Sequence, residues 1–236
     1  MSKRDSSITI DHLLSKGYHP DVLLNYIVRL SGGIANVNLE VPESPIKSLN
    51  ELAKELEIEY ITKSNRVFDI AYVDRIQKNK ISSSISQNID DLVKEANSII
   101  KATRKKGTSM NDTQLQNFIK IMLPRHMNLN QLITSKDFDY FFNERKLDFG
   151  ILPDMKLVDF LKNYIGKIIK TKKIPNFLQQ IKTFTKSIGH QDYLGKYTQS
   201  LRILFLDSES GPPIDEILSF CDIEKLLLEI NEYQKM

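Results

Sequence analysis

Eight lysines stand between residues 162 and 196 (Lys162, Lys167, Lys170, Lys172, Lys173, Lys182, Lys186 and Lys196), against a single acid, Asp192. That is a local charge of +7 in a chain whose net charge is +3, so the remainder carries −4. Ammonium groups gathered in this way suit a polyanion, because each can neutralise a phosphate and release its counter-ions. Solvated lysines on helix faces are the other reading, and charge alone leaves both open. A second cluster, Lys101, Arg104, Lys105 and Lys106, has a structural explanation, since it closes a helix where cations meet the negative end of the dipole. Rings interleave with the first cluster at Tyr164, Phe177, Phe184 and Tyr193. Such rings can stack unpaired bases, but helical spacing assigns at least Phe177 and Phe184 to a core.

Other chemistries find few residues to carry them. Cys221 is the only cysteine, so no intramolecular disulfide or Cys-based metal site is expected, and its apolar neighbours make it a small buried hydrophobe. His12, His19, His126 and His190 show no paired ligand spacing, and no metal is expected. No glycine-rich strand-to-helix turn occurs. No apolar run approaches a membrane span, and the start lacks a secretory profile, so no membrane partner is expected. At 236 residues, 41% hydrophobic and 27% charged, the chain has the composition of a globular protein of one large or two small domains.

The elements that must position these groups read as helices. Pro20-Asp21 opens one, with Val22, Leu23, Tyr26, Ile27 and Leu30 as its apolar stripe and Ser31-Gly32-Gly33 as its end. Residues 37–41 alternate and form a short extended piece. Ser48 and Glu51 spell a capping box, and Asp69 caps a helix through Val73 and Ile76. Ile89, Leu92, Val93, Ala96, Ile99 and Ile100 share one face of a long helix closed by Gly107. A subdomain boundary falls between there and Thr113, or slightly earlier at Ser82 to Ser86. Further helices are expected from Thr113 to Pro124, from Asn128 with Leu129, Leu132, Ile133, Phe138, Tyr140, Phe141 and Phe142, and from Pro153 with Leu157, Val158, Leu161, Ile165 and Ile168 inward. The last three run from Pro175 to Ile188, from Tyr197 to Leu206 and from Pro213 to Tyr233.

Several segments carry a resemblance. Met1-Ser2-Lys3-Arg4, followed by His12-Leu13-Leu14-Ser15-Lys16-Gly17-Tyr18-His19-Pro20 and the helix to Leu30, resembles glutamyl-tRNA synthetases from the second signature loop of class I synthetases onward, a loop of Lys-Met-Ser-Lys-Ser type. Ser48-Leu49-Asn50-Glu51-Leu52 and the stretch from Ile61 to Asp69 are similar to the family's helical region against the inner side of the tRNA L, although Tyr72-Val73, Arg75 and Gln77 depart from its pattern. Gly195-Lys196-Tyr197 through Leu201-Arg202-Ile203, then Gly211-Pro212-Pro213, is similar to a family segment of Gly-Lys, aromatics, Leu-Arg-Val and a Gly-Pro turn.

The resemblance implies an all-α fold, with residues 1–108 as signature loop and stem-contact domain and residues 109–236 as a helical-cage anticodon-binding domain. It implies Lys3 as the catalytic loop lysine on the ATP phosphates, with Ser2 and Arg4 beside it and Mg-ATP as cofactor of the full enzyme. It implies Arg202 on the third anticodon base and Arg125, in Pro124-Arg125-His126, near the first, with Lys167, Lys170, Lys172, Lys173 and Lys196 on tRNA phosphates. The His-x-Gly-His signature and its nucleotide-binding fold do not occur in this chain, so the expectation is the tRNA-binding part of a glutamate–tRNA ligase, inactive by itself. The partner expected is a glutamate-accepting tRNA rather than DNA or a membrane, the state a monomer, and the compartment a mitochondrial matrix or else the cytoplasm. A glutamine-specific relative, a stand-alone tRNA- or RNA-binding module and a helical protein-interaction domain are the alternatives.

Overall fold

The computed structural model describes residues 9–34, 46–61, 67–103, 111–142 and 147–236, leaving aside the side chains of 140–142. Among the described residues every regular element is an α-helix or a short 3-10 turn, the all-α architecture expected. The extended piece at 37–41, the cations Arg104, Lys105 and Lys106, and the rings Tyr140, Phe141 and Phe142 lie outside that description.

The helices are α1 (Ile10–Ser15), α2 (Pro20–Ser31), α3 (Leu49–Glu55), α4 (Ile70–Gln87), α5 (Ile89–Thr103), α6 (Asp112–Met122) and α7 (Leu129–Ile133). They continue as α8 (Lys136–Phe142), α9 (Met155–Thr171), α10 (Phe177–Ser187), α11 (Leu194–Leu206), α12 (Ile214–Leu218) and α13 (Ile223–Tyr233). Packing divides the chain into two units, Met1–Leu92 with Leu123–Leu132, and Val93–Met122 with Ile133–Met236.

In the first unit, α2 begins where proline costs no hydrogen bond and ends at Gly32, whose φ of 79° lies in the left-handed region that favours glycine. The capping box closes both ways: the Ser48 hydroxyl accepts from Glu51 N–H (3.4 Å), and Glu51 Oε2 accepts from Ser48 N–H (2.7 Å). Asp69 caps α4, accepting from Tyr72 N–H at 3.2 Å. Leu13, Tyr18, Val22, Leu23, Tyr26, Tyr72, Val73 and Ile76 form the core, with Leu30, Phe68 and Met127 against it. Two details differ from the periodicity. Ile27 is exposed while Val28 and Arg29 are buried, because α2 is gripped on more than one side and the Arg29 guanidinium reaches the Tyr72 hydroxyl at 3.3 Å. Helix α1 was not foreseen; the Thr9 hydroxyl caps it, accepting from His12 N–H at 3.1 Å.

Gln77, only 3% exposed, gathers three chain segments. Its Oε1 accepts from His19 N–H (3.0 Å), and its Nε2 donates to the carbonyls of Met127 (2.5 Å) and Gly17 (3.5 Å). Asn128 and Gln131 add bonds to the Gly17 and Lys16 carbonyls at 3.2 and 2.7 Å. These bonds are why residues 123–132 group with the first unit, carrying Arg125 with them.

In the second unit, α9 and α13 pack together, and Phe118 meets Phe138 and Phe220 edge-on at 5.6 and 5.3 Å. Three expected helices are shorter than the pattern implied. The one from Thr113 ends at Met122, with Pro124 placed in the 3-10 turn Leu123–Arg125. The helix from Asn128 breaks because the Ser135 hydroxyl accepts from Phe138 N–H (3.2 Å) and starts α8. The one from Pro213 breaks because the Ser219 hydroxyl closes α12 on the Glu216 carbonyl (2.6 Å) and Asp222 caps α13 through Lys225 N–H (3.0 Å).

Candidate nucleic-acid interface

Helix α9 carries the first part of the lysine segment. Leu157, Val158, Leu161, Tyr164, Ile165 and Ile168 face the core, which turns Lys167 and Lys170 to solvent. Lys172 ends the helix in the left-handed region at φ 53°, and Lys173 follows it, exposed. Lys182 and Lys186 lie on the exposed face of α10, and Lys196 on that of α11. Lys162 differs from the rest. Its ammonium donates to the Gln234 side chain at 2.8 Å, and Gln234 in turn donates to Asp159, so this lysine ties α9 to the end of α13.

No ion pair joins Lys167, Lys170, Lys172, Lys173, Lys196, Arg125 or Arg202 to a carboxylate among the described residues. Cations with near carboxylates are already neutralised; these are not, and their field is open to an anion.

Arg202 sits on α11, half-buried, between the core residues Leu201 and Leu204. Asp207, the acid that could have neutralised it, is instead the left-handed C-cap of the helix at φ 52°. The Arg202 Nε is buried with no hydrogen-bond partner among the described residues. Gly211 covers the stem: a Cβ there would stand 2.3 Å from Leu206 Cδ1 and 3.9 Å from Arg202 Cδ. A larger residue at this turn would have to displace the Leu206 side chain.

Helix α11 is fixed at its start by a buried tie. The ring of Tyr197 is wholly buried, and its hydroxyl donates to Asp154, which also caps α9 by accepting from Leu157 N–H at 2.9 Å. Burial first, then the bond to Asp154, pushes the Tyr197 phenol far above its ordinary range, so it remains a donor. His190 Nδ1 lies 3.3 Å from the same hydroxyl. The His190 ring stacks on Tyr193 at 4.9 Å, and the Lys196 ammonium lies 5.4 Å from the Tyr193 ring.

Of the four interleaved rings, Tyr164 and Phe177 are core at 3% and 2% exposure, while Tyr193 is 41% exposed. Phe184, expected in the core, is half-buried, stacked between Phe160 (4.7 Å) and Tyr197 (6.3 Å). The second unit carries Arg202, Lys167, Lys170, Lys172, Lys173 and Lys196 on α9, at its C-terminal end and on α11; Arg125 is exposed on the first unit. Ser2, Lys3 and Arg4 lie outside the described residues. Sequence reasoning missed Asp154, Tyr197 and Gln77. Pro153-Asp154 signals a helix start, but nothing local signals the partner across the fold. Among the described residues no group of His, Cys, Asp and Glu could hold a metal ion, and no helix is long and apolar enough to cross a membrane.

The same helical architecture occurs in solved structures. A glutamate tRNA ligase from Elizabethkingia meningosepticum, in complex with its amino acid, superposes with a TM-score of 0.63 at 16% identity, covering 98% of this chain and 44% of that one. The glutamate-tRNA synthetase of Elizabethkingia anophelis does so at 0.61 and 14% identity, over 100% and 44%. These establish the fold. Curated relatives are glutamate–tRNA ligases: that of Prosthecochloris aestuarii is 28% identical over 148 residues, 60% of this chain and 28% of the relative. That of Wigglesworthia glossinidia brevipalpis is 25% identical over 227 residues (94% and 45%), and ligase 1 of Sulfurimonas denitrificans 23% over 235 residues (98% and 47%). No protein-family model matches the chain. The chain spans less than half the length of these relatives. Together they show a chain similar over its length to part of several glutamate–tRNA ligases.

Proposed function

We propose that this chain is the tRNA-binding part of a glutamate–tRNA ligase and holds a glutamate-accepting tRNA through the cations of its second unit. The observation that carries the proposal is similarity to such ligases along 98% of the chain. The exposed lysines supply sequence-independent affinity by contacting phosphates. Arg202, packed beneath Gly211, offers a guanidinium whose direction is set by the helix, suited to an unpaired anticodon base. Arg125, exposed and unpaired with acids, is the second base-contact candidate.

The assignment of Lys3 to ATP phosphates, with Ser2 and Arg4 beside it, rests on the likeness of their short loop alone. A lysine of that kind would supply a point charge where charge grows on the phosphates. This chain by itself is expected to give no ATP–pyrophosphate exchange with glutamate. The test of the binding role is a titration of glutamate tRNA transcripts differing at single anticodon bases. Arg202→Ala is expected to lose discrimination at one base more than it loses overall affinity. Equal weakening towards every transcript would remove Arg202 from base recognition.

A further inference from the structure

Between α9 and α10 the second unit opens a cleft of about 280 Å³, of which the role above uses only Lys167. Its floor is aromatic: Phe160 and Phe184 stack at 4.7 Å and 25°, with Tyr164 beside them. Its rim is amide and hydroxyl. Asn163 and Lys167 line it from α9, and Gln180 and Thr183 from α10. Asn163 is exposed and makes no hydrogen bond among the described residues, so its carbonyl and both N–H groups are available. Gln180 accepts a long bond from Lys167 at 3.4 Å and keeps its own amide donors. Thr183 donates to the Gln179 carbonyl at 3.0 Å, which leaves its oxygen as an acceptor. No carboxylate lines the cleft, and Lys170 continues the α9 rim one turn beyond Lys167.

This combination has a definite chemical complement. An apolar aromatic floor takes a flat ring, amide groups at its edge pair with ring nitrogens and exocyclic groups, and an ammonium takes the attached phosphate. The volume is of the size of one such unit. We propose that the α9–α10 cleft seats a single unpaired nucleotide of the bound RNA, with Asn163 and Gln180 on the base edge and Lys167 on its phosphate. The inference rests on the RNA-binding reading and adds a second place, apart from Arg202, where a base is held.

The test uses the 236-residue chain and glutamate tRNA transcripts carrying a fluorescent purine analogue at one unpaired position at a time. One position is expected to change its fluorescence on binding. Asn163→Ala combined with Gln180→Ala should weaken tRNA binding roughly tenfold, within the range of one lost base contact, without altering the salt dependence. Lys167→Ala should instead lower the slope of log affinity against log salt by about one. Thr183→Trp, which fills the cleft, should abolish the fluorescence change. The alanine pair lies at the surface and leaves the core untouched, so it reports even if the tryptophan variant misfolds. Unchanged tRNA affinity in the alanine pair would overturn the cleft and leave the RNA-binding reading standing. Binding of the free nucleotide without any effect on tRNA would overturn RNA as the source. A parent chain that binds no tRNA would overturn both.

Discussion

Gly17 offers a sharp test of how the first unit is held together. Its φ of 96° lies in the region that favours glycine, and its carbonyl accepts from Asn128 Nδ2 at 3.2 Å. A Cβ at this position would stand 2.2 Å from that nitrogen and 3.2 Å from Gln131 Nε2. In Gly17→Ala the backbone strain costs about 1 kcal/mol. The Asn128 side chain can swing away, but it then gives up its bond to Gly17 and loosens its second one, in which Oδ1 caps α7 through Gln131 N–H at 2.8 Å. A lost bond of this kind costs about 1 kcal/mol. The expected total is about 2–3 kcal/mol, read as a lower urea midpoint at unchanged slope. In an Asn128→Ala background the same substitution should cost only about 1 kcal/mol, because the collision and the bond are already gone. A loss below about 0.5 kcal/mol in the parent background, or equal losses in both, would refute the packing argument.

Three further outcomes follow from the geometry. Tyr197→Phe keeps the buried ring but removes a donor from Asp154, and should cost about 1–3 kcal/mol by denaturant titration; a neutral result would mean Asp154 finds another donor. Cys221, expected to be buried, is half-buried; desolvation of its thiol, with Asp222 adding to it, pushes it up to about 12, so at pH 8 iodoacetamide should modify the folded chain far more slowly than the urea-unfolded one, and equal rates would contradict that desolvation. The Ser48 hydroxyl and backbone N–H hold the Glu51 carboxyl below its ordinary value. The α3 cap therefore contributes above the usual carboxylate pKa and is lost as pH falls through the depressed one. Amide exchange in α3 should quicken across that acid range, and Glu51→Gln should flatten the change.

The fold was legible where its cause is local. Pro20 starts a helix by its fixed φ, and the Ser48–Glu51 box and Asp69 by bonds that close within three residues, and the structure places each of them as the spacing requires. Legibility failed where two faces compete. Helix α2 buries Asn25 and Arg29, polar residues that periodicity turned outward, because Asn25 holds Lys47 through both its backbone groups and Arg29 reaches Tyr72. Long apolar runs hid their breaks: Ser135 and Asp222 restart helices inside segments that read as continuous. In the candidate interface the buried stripe of α9 leaves Lys167 and Lys170 outside, whereas Lys162 on the same helix is half-buried and held by Gln234. The ties that orient α11, Tyr197 to Asp154 across 43 residues, were not legible, since no local pattern encodes such a pairing. Phe184 was assigned wholly to the core for the same reason: spacing gives a face, while the depth of a cleft depends on the neighbouring helix.

The most direct measurement of the account is the affinity of the chain for a glutamate tRNA transcript as salt is raised. If Lys167, Lys170, Lys172, Lys173 and Lys196 all meet phosphates, log affinity should fall against log salt with a slope of about −4. Each single alanine replacement should make that slope shallower by about one, whereas Lys162→Ala, a lysine already engaged with Gln234, should leave it unchanged. A slope near zero, or one that Lys162→Ala reduces as much as the others do, would contradict the proposal that these lysines grip RNA.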